Sequence, residues 1–370
     1  MPAAQNRTGS LQYLPFEQPI ADLDRQIAEL QEQASADGDR VPQIRRLQQQ
    51  QTRELKRIYS ALSPWQIVQV SRHPQRPLLR DYLGLMVKDH RELHGDRCFG
   101  DDRSIVAALG QIGRERVLVV GQEKGRELKE KVACNFGCPN PEGYRKALAK
   151  MKLAAKFGLP IVTFIDTPGA YPGIGAEERG QAQAIAVNLM EMSRLRTPII
   201  CIVIGEGGSG GALGIGVGDR MAILEYAYYS VISPEGCAGI LWHDGTQADK
   251  AAEALKLTAQ DLLELGVVDT IIPEPLGGAH RNLHDTVYNV EQYIARTLRE
   301  LRRTPIDTLL ENRYKRIRAI GGPGQKTLGP RIEKPAIPER LSIEAQLREA
   351  RTAPVEQPEP TLAEPAASQE

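Results

Sequence analysis

The sequence predicts an α/β protein with a body of repeated strand–strand–helix units, an N-terminal helical hairpin and a disordered C-terminal tail. Three observations predict this class. Short apolar runs rich in β-branched residues alternate with stretches of helical period along the body. Charged residues separate apolar ones at helical spacing near the N-terminus. From Ile332 onward the chain is rich in Pro, Glu, Ala and Gln, a composition that buries too little apolar surface to fold.

Composition limits the classes of function. The 370 residues carry 47 Lys and Arg against 47 Asp and Glu, so the zero net charge argues against a general nucleic-acid or membrane surface. Cys134 and Cys138 form one close pair without a second, so we expect no zinc site and no disulfide framework. The apolar runs are of strand length, and the N-terminus lacks the apolar core of a signal peptide. We therefore expect a reduced, cytoplasmic, soluble protein.

The N-terminal region divides into residues 1–15, which we expect to be disordered, and residues 16–62, which we expect to form the hairpin. Ala-Asp-Gly-Asp at 36–39 separates the two helices. Ser63 before Pro64 is typical of a helix start, and the main domain then covers 63–315. The apolar stripes of the two helices are Ile20, Leu23, Ile27 and Leu30, then Leu47, Leu55, Ile58 and Leu62.

After the helix that starts at Ser63, the main domain contains seven predicted strands and six predicted helices. The tail at 332–370 is predicted to be disordered. The strands are 105–109, 117–121, 161–165, 199–204, 221–224, 230–232 and 267–272. The helices are 141–157, 177–195, 209–217, one that starts at 233, 258–265 and 284–303.

The glycine-rich stretch after the strand at 199–204 is compatible with several chemistries. Gly205-x-Gly207-x-x-Gly210 matches a dinucleotide-binding fingerprint, and Ser209 between glycines matches a nucleophile elbow, which would need a histidine base. The amides of Gly207, Gly208 and Ser209 at a strand-to-helix turn also suit an oxyanion hole without a nucleophile. Tight packing with no ligand is the fourth interpretation.

A second turn-rich loop, Asp166–Gly175, follows the preceding buried strand. Because both loops lie at strand ends, we expect them to face each other across one crevice. Each could donate backbone amides there. That geometry would hold a developing oxyanion between two donors.

The motifs along this chain closely resemble the family of α subunits of bacterial-type acetyl-coenzyme A carboxylase carboxyltransferases. The resemblance runs from about residue 15 to residue 315 and leaves the C-terminal tail outside. Matched segments of this length are more specific than a single motif. They are Phe16–Ile20, His73–Pro77, Ile165–Gly173, Gly175–Gly180, Gly205–Ala212, Ser233–Cys237 and Ile272–His280.

The resemblance implies a crotonase/Clp-like superhelix of repeated ββα units. It implies transfer of carboxyl from carboxybiotin, on a biotin carboxyl carrier protein, to acetyl-coenzyme A, giving malonyl-coenzyme A for fatty acid synthesis. The implied partners are a β subunit of the same fold, in an α2β2 assembly, and an ATP-using biotin carboxylase. Zinc is expected on the β subunit and no metal on this chain. A stand-alone crotonase-type coenzyme A enzyme, a serine hydrolase and a non-catalytic scaffold are the alternatives.

The resemblance also directs the choice of site residues. We assign an oxyanion hole for the biotin ureido oxygen to Gly207 and Gly208. The loop of Gly169 and Ala170 is the candidate for the second amide. The residues expected to contact substrate or to shape its site are Tyr171, Ser209, Lys124 and Arg126.

Each of these assignments has an alternative. Lys124 and Arg126 would meet phosphates of coenzyme A or the carrier protein, or else lie on a solvated helix face. Tyr171 either walls the biotin slot or packs its loop. The Ser209 hydroxyl is expected to cap a helix rather than to act as a nucleophile, because no histidine lies at 232–234, where the fold-related proteases carry theirs. Glu206 is interpreted as a solvated loop residue.

Overall fold

The computed structural model describes residues 11–34 and 40–321. The predictions of disorder for most of 1–15 and for 332–370 concern residues outside these ranges. Within them the chain is a mixed α/β structure, as predicted. No helix in the described part of the chain is long and apolar enough to cross a membrane.

Fourteen α-helices are present in the described ranges. They are α1 (Gln18–Ala34), α2 (Val41–Tyr59), α3 (Pro64–Ser71), α4 (Leu79–Met86), α5 (Leu128–Ala133), α6 (Pro141–Lys156), α7 (Ile174–Glu178), α8 (Gln181–Arg194), α9 (Ser209–Leu213), α10 (Pro234–Trp242), α11 (Ala248–Ala254), α12 (Ala259–Glu264), α13 (Leu283–Leu301) and α14 (Ile306–Ala319).

Eight strands form one sheet. They are β1 (Val87–Glu92), β2 (Ile105–Ile112), β3 (Glu115–Gln122), β4 (Ile161–Thr167), β5 (Ile199–Gly208), β6 (Arg220–Leu224), β7 (Tyr228–Ser230) and β8 (Thr270–Ile272). The order is β1-β2-β3-β4-β5-β6-β8, and β7 also pairs with β5. The first two pairings are antiparallel and the others are parallel.

The core lies on both sides of the centre of this sheet. Every residue of β4 and β5 is buried, as expected of parallel strands covered by helices on both faces. The continuous apolar run Ile199–Ile204 explains why β5 is central, since each of its side chains needs an apolar neighbour. The carboxyl ends of β4 and β5 therefore lie side by side at one edge of the core.

Helices α1 and α2 pack against each other at the N-terminal side. Ile20 of α1 joins Leu55 and Tyr59 of α2 in a small apolar cluster with Val70 of α3. The buried Glu17 carboxylate accepts a hydrogen bond from the Tyr59 hydroxyl at 2.7 Å. The apolar stripes predicted for the hairpin are thus partly covered by the chain itself.

Several element bounds differ from the prediction. The helix predicted over 177–195 is two helices, α7 and α8, because Gly180 between them has a φ of 79°. Strand β1 and the helices α4, α11 and α14 were not predicted. The strand expected at 230–232 ends at Ser230, and the strand expected to stop before Gly205 continues to Gly208.

Candidate active site at the ends of strands β4 and β5

The glycine-rich stretch lies where the register between β4 and β5 changes. Ile165 is opposite Val203, but Thr167 is opposite Gly207, so β5 advances four residues while β4 advances two. A bulge of this kind bends a strand and re-aims its side chains. Beyond the bulge β5 pairs with β7 over Glu206–Gly208 instead of with β6. The sheet thus divides at the glycine-rich stretch.

Helix α9 is shorter than predicted. The sequence predicts a helix to Val217, but α9 ends at Leu213, and Gly208 is its N-cap. Glycines weaken helices, which accounts for the early end. Gly207 and Gly208 therefore belong to the end of β5 rather than to a helix N-terminus. A five-residue helix is also far shorter than the crossover of a dinucleotide-binding unit, which disfavours that alternative.

The loop after β4 packs directly on the glycine-rich stretch. A Cβ at Gly208 would lie 2.1 Å from the carbonyl oxygen of Pro168. A Cβ at Gly211 would lie 2.4 Å from the carbonyl carbon of Gly169 and 2.6 Å from the nitrogen of Ala170. Only glycine permits such a close approach of two backbones. The two loops therefore face each other, as the sequence predicts, and are in backbone contact.

The amides of the loop after β4 are not equally available. Gly169 donates its N–H to Thr167 Oγ1 at 3.1 Å, and Tyr171 donates its N–H to the Pro139 carbonyl at 3.0 Å. Ala170 lies between them, and its N–H has no acceptor within the described ranges. Of the predicted pair Gly169 and Ala170, only Ala170 thus offers a free amide. Because Gly211 has no side chain, one side of the Ala170 amide is not covered.

A cluster of charged side chains lies beneath the two loops. Lys124 Nζ is 2.7 Å from Asp166 Oδ1 and 2.5 Å from Glu206 Oε2. The other oxygen of Glu206 accepts hydrogen bonds from Arg72 Nε at 2.5 Å and from the Tyr228 hydroxyl at 2.9 Å. The Glu206 backbone N–H is donated to Asp166 Oδ1 at 2.9 Å. These contacts join the ends of β3, β4, β5 and α3.

The electrostatics of this cluster favour the charged forms. Burial by itself raises the pKa of the Glu206 carboxyl, but Lys124 and Arg72 outweigh burial and lower that pKa to about 2. Burial alone would lower the pKa of Lys124, whereas Asp166 and Glu206 raise it above the ordinary value. Glu206 and Lys124 are therefore ionised at neutral pH.

Three predicted contact residues have partners that bear on their roles. Lys124 was expected to meet phosphates or solvent, but it lies between two buried carboxylates. Arg126 was given the same two alternatives, and it forms an ion pair with Asp81 while staying part exposed. The Tyr171 ring packs on Gly173, where a Cβ would lie 2.5 Å from it, yet remains 39% exposed. Both interpretations of Tyr171 are compatible with this position.

Ser209 does not cap α9, contrary to the prediction. It is the first residue of α9, has a φ of 51° and is exposed. Its hydroxyl makes no hydrogen bond with any described residue. This strained turn has the backbone form of a nucleophile elbow. The segment alongside it, which starts at Ser230 opposite Gly208, contains no histidine as far as Pro234, so no base is supplied from that side.

Sequence reasoning missed the charged cluster. Glu206 was interpreted as solvated, but it is buried with an ion pair on each oxygen. One signal was present, because an acid directly after an unbroken buried strand has little access to solvent. Arg72, which lies 134 residues away in the chain, could not be assigned to it from sequence.

A second group of polar residues lies at the base of the hairpin. Glu17, His73 and His280 are buried with possible ligand atoms within 4.8 Å of one another. Hydrogen bonds occupy both oxygens of Glu17 and both ring nitrogens of His73, and the two imidazole rings stack at 3.9 Å. A metal would have to displace these bonds, so the donor set does not favour one.

Comparisons with known proteins point to one family. Residues 13–321 match the family model described as "Acetyl co-enzyme A carboxylase carboxyltransferase-like". The chain is 56% identical over 308 residues to the acetyl-coenzyme A carboxylase carboxyl transferase subunit alpha of Rhodopirellula baltica, covering 83% of this chain and 97% of the relative. The corresponding protein of Hydrogenovibrio crunogenus is 55% identical over 311 residues, covering 84% and 98%.

A solved structure with a partial likeness is that of a Pseudomonas malonate decarboxylase hetero-tetramer in complex with coenzyme A. Its TM-score is 0.49 at 17% identity, and the match covers 60% of this chain and 90% of that one.

Proposed function

The chain belongs to the family of acetyl-coenzyme A carboxylase carboxyl transferase α subunits, and we propose that its two facing loops stabilise the anions formed in carboxyl transfer. The reaction of the family moves a carboxyl group from carboxybiotin to acetyl-coenzyme A and gives malonyl-coenzyme A. The observation that carries the proposal is the close packing of the glycine-rich stretch on the loop of Ala170.

The chemistry needs electrostatic stabilisation more than a side-chain base. Carboxybiotin, when presented by its carrier, supplies the carboxyl group and leaves negative charge on the ureido oxygen. Acetyl-coenzyme A must lose a proton from its methyl carbon and becomes an enolate, and the ureido group is the acceptor for that proton. Each anion needs fixed hydrogen-bond donors at its oxygen. The chain has to provide amides and orientation.

Two sets of amides are the candidates on this chain. Gly207 and Gly208 at the end of β5 form the first, and Ala170 belongs to the second. The first set lies at the end of a sheet strand, and Ala170 lies in a loop whose backbone packs against Gly211. Little reorganisation is therefore needed when charge develops. The loss of one such donor typically raises a barrier by about 3 kcal/mol, or slows turnover about a hundredfold or more. We assign the first set to the ureido oxygen.

A partner subunit is required in this proposal. Val231 and Ile174 are each 76% exposed, and they follow β7 and the β4 loop respectively, next to the glycine-rich stretch. Ile240 and Leu241 of α10 are exposed as well. Exposed apolar side chains around a site are typical of an interaction surface. We propose that a β subunit covers it in an α2β2 assembly, carries the zinc, and binds most of the coenzyme A.

The proposal includes two further proteins that act before the transfer step. The carboxyl group reaches this site on a biotin carboxyl carrier protein. An ATP-using biotin carboxylase loads that carrier. Both act outside this chain, which carries no motif for ATP that we recognise in its sequence.

Reconstitution tests the shared site. We expect the purified chain to form no malonyl-coenzyme A from carboxybiotin and acetyl-coenzyme A, because most of the coenzyme A binds to the β subunit in this proposal. Addition of the β subunit should restore transfer and raise the melting temperature of the chain with increasing β concentration, since a ligand of the folded state stabilises it. Transfer by the chain alone at the rate of the mixture would show that all donors lie within it.

Two substitutions in the glycine-rich stretch test the amides. Gly211→Ala should lower the turnover of the reconstituted enzyme about a hundredfold, because the new Cβ would displace the Ala170 amide. Gly210→Ala is the matched control, since its Cβ would meet nothing closer than 3.7 Å. Equal turnover of the two variants in intact complexes would contradict the role of Ala170.

A further inference from the structure

Lys124 connects the two loops of the candidate site by contacting one carboxylate of each. It follows the end of β3, and its stem passes Gly137, where a Cβ would lie 2.6 Å from Lys124 Cγ. Gly137 has a φ of 84°, so this position suits glycine on two grounds. The ammonium then reaches one carboxylate from each loop, Asp166 at 2.7 Å and Glu206 at 2.5 Å.

Each of the two carboxylates belongs to a residue just before the amides proposed in one loop. Asp166 lies four residues before Ala170, and Glu206 directly precedes Gly207. The side chains of Asp166 and Glu206 are only 5% and 8% exposed, so water screens their contacts with Lys124 little. A change in the position of the ammonium would therefore move Asp166 and Glu206 together.

The remaining contacts fix the other side of Glu206. Arg72 and the Tyr228 hydroxyl bind its second oxygen, and Arg72 in turn contacts Glu235 at 2.5 Å. Glu206 thus has a fixed partner on each oxygen. The carboxylates of Glu206 and Asp166 are connected through Lys124. The two backbones are connected by the hydrogen bond from the Glu206 N–H to Asp166 and by the pairing of Thr167 with Gly207.

We propose that Lys124 is a positioning residue, whose ammonium sets the separation between the Ala170 amide and the amides of Gly207 and Gly208. This role rests on the proposed function of those amides. It differs from contact with a phosphate of coenzyme A or the carrier protein. A phosphate would have to compete with two buried carboxylates for an ammonium that they already neutralise.

Steady-state kinetics distinguish a positioning role of Lys124 from contact with a phosphate. With the β subunit present, Lys124→Met should lower kcat ten- to a hundredfold and leave KM for acetyl-coenzyme A within about twofold, because a small misplacement of donors slows chemistry. Lys124→Arg, which keeps the charge, should recover most of kcat. Lys156→Met, on an exposed lysine of α6, is the control for the exchange of lysine for methionine. A higher KM with unchanged kcat, or no change in either, would overturn the proposal.

Hydrogen exchange gives a second readout that does not depend on activity. In Lys124→Met, peptides covering 166–175 and 205–213 should both exchange faster than in the wild-type chain, while peptides of α13 should not change. If neither loop exchanges faster, or only one does, the result would contradict the proposal that Lys124 holds the two loops in position. If Lys124→Met does not fold, Lys124→Gln takes its place in both measurements with the same criteria. Lack of transfer by the wild-type complex would contradict the proposed function instead.

Discussion

Ser209 combines an exposed side chain with a backbone that L-residues rarely adopt. A left-handed conformation costs a non-glycine residue roughly 1 kcal/mol. We therefore expect Ser209→Gly to raise the free energy of unfolding by up to about 1 kcal/mol, and Ser209→Ala to leave it nearly unchanged, because no helix cap is lost. Urea unfolding of the three chains measures this.

The same variants test the hydrolase alternative. Both should retain carboxyl transfer in the reconstituted complex, because the neighbouring segment 230–234 supplies no histidine to activate the hydroxyl. A fluorophosphonate probe should leave Ser209 unlabelled. Inactivity of Ser209→Ala in an intact complex, or labelling of the serine, would restore a nucleophilic role.

Glu206 makes stability depend on pH in the acid range. Its pKa is about 2 in the folded chain against an ordinary 4.5, so its ionised form stabilises the fold above pH 4.5. That contribution is lost as the pH falls through about 2. Compared with wild type, Glu206→Gln should therefore be less stable at neutral pH, and the difference should shrink from pH 4.5 downward. Unfolding midpoints across that range measure the difference.

The control for this comparison is the exposed Glu264 of α12, whose carboxylate accepts an exposed hydrogen bond from Gln260 of the same helix. Glu264→Gln should differ from wild type by about 0.5 kcal/mol or less at every pH. A difference for Glu206→Gln that stays constant from pH 7 to pH 2 would mean that the charge of Glu206 is not what stabilises the cluster.

At the scale of elements, two buried side chains attach helix α14 to the core, the apolar Leu309 and the charged Arg313. Arg313 forms a bidentate ion pair with Asp219, with both distances 2.8 Å. Its remaining N–H groups are donated to the carbonyls of Met192, Leu195 and Thr197, at the end of α8 and before β5. An apolar replacement would leave Asp219 buried without its partner.

We expect Arg313→Met to lower the free energy of unfolding by about 3–5 kcal/mol, which is the usual effect of breaking a buried ion pair. Arg313→Lys should recover little, because an ammonium lacks the planar fork that meets both carboxylate oxygens. Arg318→Met, on an exposed position of the same helix, should change the free energy of unfolding by about 0.5 kcal/mol or less. Chemical denaturation compares the variants, and equal stability of Arg313→Met and Arg318→Met would contradict this account.

At the scale of the whole molecule, the candidate site lies where the sheet divides. Ligands of open α/β sheets bind at the carboxyl ends of strands, where neighbouring connections diverge. Here β5 pairs first with β6 and then with β7, and the space above the division is bordered by the loops after β4 and β5. The exposed apolar residues of α10 and of the segment after β7 border the same edge. Sheet topology thus places the two loops of the candidate site near these exposed apolar residues.

Local signals in the sequence were sufficient for most of the fold. The apolar run of Ile199–Ile204 and the shorter run of Ile161–Ile165 predicted the two central strands, because a strand buried on both faces must be apolar throughout. The motifs around Gly169 and Gly208 also indicated the family, and they contain the two loops of the candidate site. Helix lengths were less accurate, since glycines and left-handed residues end helices at points that propensity alone does not define.

The partners of the charged residues were decided only by the tertiary structure. Lys124 and Glu206 are 82 residues apart in the chain, and Arg313 and Asp219 are 94 apart. Whether such a residue is solvated or paired depends on its burial, and burial is set by elements distant in sequence. The same holds for Gly169 and Ala170, whose amides differ in availability because of hydrogen bonds that exist only in the folded loop. The sequence alone predicted the two loops of the candidate site, and packing determined which of the amides at Gly169 and Ala170 already has an acceptor.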